Sequence, residues 1–257
     1  MLSQYSRTEL VFGREGIQTL RQKTVAVLGA GGVGSFAMEA LARTGVGTLI
    51  LIDKDEVDIT NCNRQLPAMM TTIGQSKVEV MKDRLNAVNP DCNVIAHKMF
   101  FLEDTKEILF QYPLDYVVDA IDTIAAKILL IEECVKRGIP IASSMGAANK
   151  LDPTRFRVVD LFDTRVDPIA KVLRRELRKR GVGRGVKTVC STETPRAPRE
   201  DVTRDIVSPE TLATSPIRKA KNPPASTAYV PSVAGLILAS VVIHDLVGIY
   251  PEPSDNG

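Results

Sequence analysis

The stretch Leu28-Gly29-Ala30-Gly31-Gly32-Val33-Gly34 limits what this 257-residue chain can fold into more than any other part of it. An apolar run, Thr24 to Leu28, leads into the glycines, and Phe36, Ala37, Ala40 and Leu41 follow at helical spacing, so the stretch reads strand, tight turn, helix. Gly29 and Gly31 let the backbone turn and approach a phosphate, Gly34 lets helix and strand pack, and the helix N-terminus offers unpaired N–H groups to an anion. Taken alone, the motif names a nucleotide and favours a dinucleotide cofactor. The expected fold is α/β: a Rossmann-like, doubly wound, mostly parallel sheet with an N-terminal helical segment and a C-terminal extension.

At 44% apolar residues the chain can bury a full core. A single domain over 1–257 is expected, with the nucleotide-binding core at about 20–150 and an extension from about 151 onward. The net charge is only +2, but from Leu151 onward 17 Lys and Arg face 13 Asp and Glu, so the second part is the basic one. The N-terminus turns charged before any long apolar run forms, which predicts no signal peptide and a cytoplasmic location. Cys62, Cys92, Cys134 and Cys190 lie far apart without a C-x-x-C pair, which excludes a zinc ribbon and fits reduced thiols.

Ser3 to Leu20 predicts one or two short helices with Leu10, Val11, Ile17 and Leu20 as apolar contacts. Thr48 to Ile52 reads as a second buried strand ending in Asp53, about 20 residues beyond the glycines, where an acid accepts ribose hydroxyls. A polar segment follows where a dinucleotide fold would have a short loop. Its Arg64, between Asn63 and Gln65, can hold phosphate oxygens in a planar fork. Gly74 opens a helix with Val78, Met81, Leu85 and Val88 on one face, and Lys77 stands in its first turn against the macrodipole, a placement that suits an anion ligand. Asn93 to His97 is a strand and Glu103 to Phe110 a helix. Asp115 to Val118 is a buried strand delivering Asp119-Ala120-Ile121-Asp122 to the sheet edge where ligands bind, and two close acids there suit Mg²⁺. Hydride transfer has no evident use for Arg64, Lys77 and this carboxylate pair, whereas nucleotidyl transfer from a polyphosphate needs such charges.

With these residues in view, Gly29 to Gly34, Asp53 with Asp55, Asn61-Cys62-Asn63-Arg64-Gln65, Lys77 and Asp119 to Asp122 resemble the adenylation domain of the ubiquitin-activating enzyme superfamily. The resemblance implies ATP, activation of a carboxylate as an acyl-adenylate, and a homodimer. It implies nucleotide binding by Gly29, Gly31, Gly32, Gly34, Asp53, Asp55, Asn61, Asn63, Arg64, Gln65 and Lys77. It also implies catalysis by Arg64, Lys77 and Asp122, Mg²⁺ on Asp122 and Asp119, and an Arg7 that reaches the partner's ATP. Met145-Gly146-Ala147, Leu151-Asp152-Pro153-Thr154, Ser191-Thr192-Glu193-Thr194-Pro195 and Tyr229 to Gly235 are similar to the tRNA threonylcarbamoyladenosine dehydratases, which implies a tRNA substrate, with sulfur-transfer proteins as further partners. A sulfur-carrier adenylyltransferase is the alternative, weakened by the missing C-x-x-C pairs, and an NAD-dependent dehydrogenase is more distant still.

Lys171, Arg174, Arg175, Arg178 and Lys179, with Arg180, Arg184 and Lys187 beyond them, crowd a predicted helix and the loop after it, a candidate tRNA-backbone surface opposed only by Glu176. The Pro-rich stretch from Pro195 to Ser226 forbids long regular elements and is expected to order over the site. Val233 to Val247 is too short for a membrane span and is interrupted by His244-Asp245, so it reads as a helix of the core or of a dimer interface. Cys190 reads as buried or incidental, and His97 and His244 as structural.

Overall fold

The computed structural model describes residues 2–207 and 224–251. Its strands are β1 (Thr24–Leu28), β2 (Thr48–Ile52), β3 (Asn93–His97), β4 (Tyr116–Asp119), β5 (Ile141–Ser144), β6 (Phe156–Asp160) and β7 (Lys187–Ser191). They form one sheet in the order β3-β2-β1-β4-β5-β7-β6, with every neighbouring pair parallel except β6 and β7.

The first two strands are continuously apolar because both faces of the sheet are covered. Val25, Val27, Leu49 and Leu51 point into one core, shared with α1 (Ser6–Arg21), α2 (Gly34–Thr44), α3 (Lys77–Val88) and a C-terminal helix, Tyr229–Val247. Ala26, Leu28, Ile50 and Ile52 point into the other, shared with α4 (Lys106–Phe110), α5 (Ile124–Arg137) and α6 (Pro168–Lys179). The chain leaves β1 toward β2 and β3, then crosses back to β4, so the strand order reverses beside β1. That reversal opens a crevice outside the carboxyl ends of β1 and β4, the usual ligand position in an open α/β sheet.

Four expectations need adjusting. Gly13 has φ 71° and ψ 168°, a non-helical pair that kinks α1. The second half of α1 buries Ile17 and Leu20, while Leu10 and Val11 are 79% and 69% exposed instead of being core contacts. Helix α4 is shorter than expected, and α3 begins at Lys77 rather than Gly74, which occupies the preceding turn at φ 82°. The Pro-rich segment contains α7 (Glu200–Ile206), and the expected ordering of its later part falls on residues 208–223, outside those described.

The C-terminal helix, α8 (Tyr229–Val247), is long and apolar enough to cross a membrane by composition, yet half of it is buried within the fold. It is a core helix, with Val230, Ala234, Leu238 and Val242 in the same cluster as the apolar side of α2. A Cβ on Gly235 would lie 2.1 Å from the Val33 carbonyl oxygen, and one on Gly32 would lie 3.2 Å from Pro231. The start of α8 therefore roofs the glycine turn directly. Gly235→Ala is expected to cost about 1–3 kcal/mol in urea unfolding, since the helix must move out. Gly183→Ala, whose Cβ meets nothing within 4 Å, should stay within about 0.5 kcal/mol of the parent.

Candidate functional site

The glycine turn is built by close backbone approach. Gly29 has φ 95°, and a Cβ there would lie 2.5 Å from the Ala120 carbonyl oxygen. A Cβ on Gly34 would lie 1.7 Å from the Gly29 carbonyl oxygen. No other residue type fits either position without displacing backbone. Asp53, at the end of β2, braces the turn: Ala30 N donates to its Oδ2 at 2.6 Å and Asp55 N to its Oδ1 at 2.8 Å. Burial pushes the Asp53 carboxyl above its ordinary value, against the downward pull of these two bonds. Each oxygen keeps a lone pair with which a ribose hydroxyl can bond.

Lys77 opens α3 but does not extend into open solvent. It is buried, its Nζ 3.2 Å from Asp55 Oδ2, and its backbone N–H donates to the Asp55 carbonyl at 3.1 Å. Asp55 also accepts from Lys54 Nζ at 2.7 Å. Burial raises the Asp55 carboxyl, but the Lys54 hydrogen bond and the Lys77 charge outweigh it and hold the group below the usual carboxylate range. Asp122 lies exposed just beyond β4, with Thr123 Oγ1 at 3.3 Å. Its charge adds to those of Asp55 and Asp53 in raising Lys54, whose largest influence is the Asp55 hydrogen bond.

Asp119 departs from the expected pair of open acids. It is fully buried, with Lys127 Nζ 2.6 Å from its Oδ2, Ser143 Oγ donating to the same oxygen at 2.6 Å, and Ile121 N donating to Oδ1 at 3.1 Å. A carboxylate so enclosed is satisfied by protein and has no face left for a metal ion, which leaves Asp122 as the accessible acid of this turn.

The polar segment after β2 folds as a short helical turn, Ile59–Asn61, capped by Asp58. The Asn61 side chain serves that cap, its Oδ1 accepting from Asp58 N at 3.2 Å. Arg64 Nη1 donates to the Thr60 carbonyl at 2.9 Å and to Asn63 Oδ1 at 2.7 Å, and Arg64 Cγ lies 3.4 Å from where a Cβ on Gly32 would be. Burial lowers the pKa of this guanidinium. Gln65 Nε2 lies 3.9 Å from the Cβ position of Gly31, and Gln65 Oε1 is buried without a hydrogen-bond partner among the described residues. Arg64 and Gln65 thus flank the glycines, while Asn63 Nδ2 reaches the Ser226 carbonyl at 3.0 Å.

Sequence reasoning missed two anchors nearby. Asn149, at φ 63°, donates its N–H to the Ala225 carbonyl and accepts from Ala225 N on Oδ1 and from Arg196 N on its own carbonyl, each within 2.9 Å. Glu193 was visible as part of a motif but not in its role. Its carboxylate accepts from Leu151 N and Asp152 N at 3.1 and 2.9 Å. An asparagine tolerant of the left-handed region was the available signal for the first.

Helix α6 brings Lys171, Arg174, Arg175, Arg178 and Lys179 together around a shallow cavity of about 450 Å³. Its other side buries Ala170, Leu173 and Leu177. Neutralisation is wider than Glu176 alone: Arg180 pairs with Glu132, Arg184 with Asp163, and Lys187 belongs to β7 and pairs with Asp245. Arg7 is exposed in the first turn of α1, and no hydrogen bond or ion pair among the described residues joins it to the glycine turn.

The sheet reversal, the glycine turn and the charged edge define a Rossmann-like nucleotide-binding protein. A family model described as the ThiF family matches residues 5–256, and the chain belongs to that family. It is 58% identical over 247 residues, 96% of each chain, to the tRNA threonylcarbamoyladenosine dehydratase of Bacillus subtilis (strain 168). It is 39% identical over 206 residues, 77% of each chain, to the enzyme of the same name from Escherichia coli (strain K12). A crystal structure of the E. coli tRNA N6-threonylcarbamoyladenosine dehydratase in complex with ATP superposes with a TM-score of 0.83 at 32% identity, covering 95% of this chain and 94% of that one.

Cys190 is buried on β7, and burial pushes its thiol up to about 11. Cys92 is pushed up to about 11 in the same way, and burial raises Cys134 as well. Half-buried Cys62 should therefore react with iodoacetamide about tenfold faster than these three, because reactivity follows thiolate fraction and access. Pulse alkylation read by peptide mass spectrometry checks this, and early labelling of Cys190 would contradict it.

Proposed function

We propose that the protein adenylates the carboxylate of threonylcarbamoyladenosine next to the anticodon of tRNA and promotes its cyclisation, releasing AMP and pyrophosphate. The observation that carries this reading is the 58% identity to a dehydratase of that name along 96% of both chains. That match runs well beyond the nucleotide-binding core into the part bearing the basic helix. The whole chain acts as one cytoplasmic adenylation domain.

ATP lies with its phosphates over the glycine turn and the N-terminus of α2, where free N–H groups meet the anion. Asp53 takes a ribose hydroxyl. The substrate carboxylate oxygen bonds to the α-phosphorus as the bond to the β-phosphate oxygen breaks, and pyrophosphate carries away the electron pair. Arg64 and Lys77 hold phosphate oxygens as charge shifts along the chain. No group of three or more His, Cys, Asp or Glu gathers among the described residues. Mg²⁺ fits the edge through Asp122 and phosphate oxygens, as it is usually held by one or two carboxylates plus substrate, and it would supply further neutralisation there. A nitrogen of the substrate then attacks the activated acyl carbon and AMP leaves. The protein needs no nucleophile for this step, in keeping with a buried Cys190.

The five basic side chains of α6 hold the tRNA backbone. The active form is a homodimer in which Arg7 reaches the partner's ATP, with Leu10 and Val11 beside it offering apolar surface.

Purified protein with Mg²⁺, ATP and tRNA carrying threonylcarbamoyladenosine should release AMP and form the cyclised nucleoside, detected by mass spectrometry of digested tRNA. Activation of a carrier-protein C-terminus in place of the tRNA would overturn the reading. Arg64→Ala, Lys77→Met and Asp122→Asn should each lower kcat by about 10²- to 10³-fold. Neutralising Arg174, Arg175, Arg178 and Lys179 together should flatten the slope of log tRNA affinity against log salt by about 3 to 4 units. An unchanged slope would remove α6 from the tRNA contact.

A further inference from the structure

Lys127 is a buried ammonium directly beneath the charged edge, and the chemistry above does not use it. Its three N–H bonds are all spent on protein: Asp119 Oδ2 at 2.6 Å, the Ser144 carbonyl at 2.9 Å and Ser143 Oγ at 3.2 Å. A lysine has three donors, so none remains for a phosphate or a substrate carboxylate. Its action must pass through the groups it holds.

Those groups form the floor of one turn. Asp119 ends β4, and its Oδ1 accepts from Ile121 N at 3.1 Å, closing the backbone over the carboxylate. Ala120 N donates to the Leu28 carbonyl at 2.9 Å, and Ala120 carries the carbonyl oxygen that would lie 2.5 Å from a Cβ on Gly29. Ala120 Cβ would lie 3.1 Å from a Cβ on Gly34. The turn is thus wedged against the phosphate-binding glycines, and Asp122 follows Ala120 two residues on. Burying a carboxylate in so dry a place costs several kcal/mol unless a counter-charge with good geometry sits beside it. Lys127, reaching back from α5, provides that charge and ties the turn to Ser143 and Ser144 of β5.

We propose that Lys127 is a positioning residue for the metal-binding acid: with Asp119 and Ser143 it sets the conformation of residues 119–122 and so the placement of Asp122 against the triphosphate. This rests on the reading of Asp122 as the Mg²⁺ ligand. Removing the Lys127 charge loosens metal engagement and leaves nucleotide contacts at the glycine turn, Asp53 and Arg64 in place. Groups that orient a metal ligand from behind commonly matter by about 10- to 100-fold in metal affinity.

The test titrates Mg²⁺ against protein held with saturating ATP and follows the ATP-dependent rise in melting temperature, with ATP affinity measured separately in EDTA. In Lys127→Met the Mg²⁺ needed for half-maximal effect should rise by about 10- to 100-fold. ATP affinity in EDTA should stay within about threefold, less than the tenfold step that 1.4 kcal/mol represents. Lys127→Arg should recover part of the loss. Ser143→Ala removes one bond to Asp119 and keeps the charge pair, so it serves if Lys127→Met does not fold. It should raise the Mg²⁺ requirement by about threefold or more, the scale of one net hydrogen bond. Asp122→Asn separates the two readings. If it raises the Mg²⁺ requirement and a folded Lys127→Met or Ser143→Ala does not, the positioning role is wrong. If Asp122→Asn itself leaves the requirement unchanged, the assignment of Asp122 to the metal fails first. Equal losses of ATP affinity with and without Mg²⁺ would reduce Lys127 to general structural support and overturn the proposal.

Discussion

Backbone meets backbone at the centre of this molecule with no side chain between, and the other features of the site follow from that contact. The Gly29 carbonyl sits where a Cβ of Gly34 would be, the Ala120 carbonyl where one of Gly29 would be, and the Val33 carbonyl where one of Gly235 would be. Three segments that are far apart in the chain therefore converge on the first turn of α2. The close approach leaves no room for a side chain at Gly29 or Gly34, so the turn is formed by backbone alone. Asp53 completes the arrangement from the β2 side, holding both the turn at Ala30 and the start of the next loop at Asp55.

The acids along this edge are held by different means. Asp53 is held by backbone N–H groups, Asp55 by Lys54 and Lys77, and Asp119 by Lys127 and Ser143. Burying a charge costs several kcal/mol unless a partner with good geometry sits beside it. The edge therefore keeps several like charges close to the nucleotide by giving the buried ones local neutralisation. Asp122, by contrast, is exposed at the rim of the same edge.

Much of this was legible in the residues. The uninterrupted apolar strands announced a sheet covered on both faces, the glycine spacing located the crevice, and the acid after β2 was placed correctly. The amphipathic period of Pro168 to Lys179 exposed five basic side chains together, whereas Lys187 looked like part of the same group only because a strand residue was read as loop. Other features depended on geometry that no local pattern encodes. A positive φ at Gly13 turned Leu10 and Val11 outward. Asp119 and Asp122 appear as equals in sequence, and only the lysine returning from α5 and the serine from β5 distinguish the buried one from the open one. Lys77 looked like a free cation because its partner, Asp55, lies 22 residues away.

Asn149 holds the backbones of Arg196 and Ala225 against one residue, so two positions far apart in sequence are fixed to nearly the same point of the fold. The entropy of closing a loop grows only with the logarithm of its length, by about 0.6 kcal/mol for each doubling. By that measure, a change in the number of residues between the two anchor points costs the anchored fold itself little.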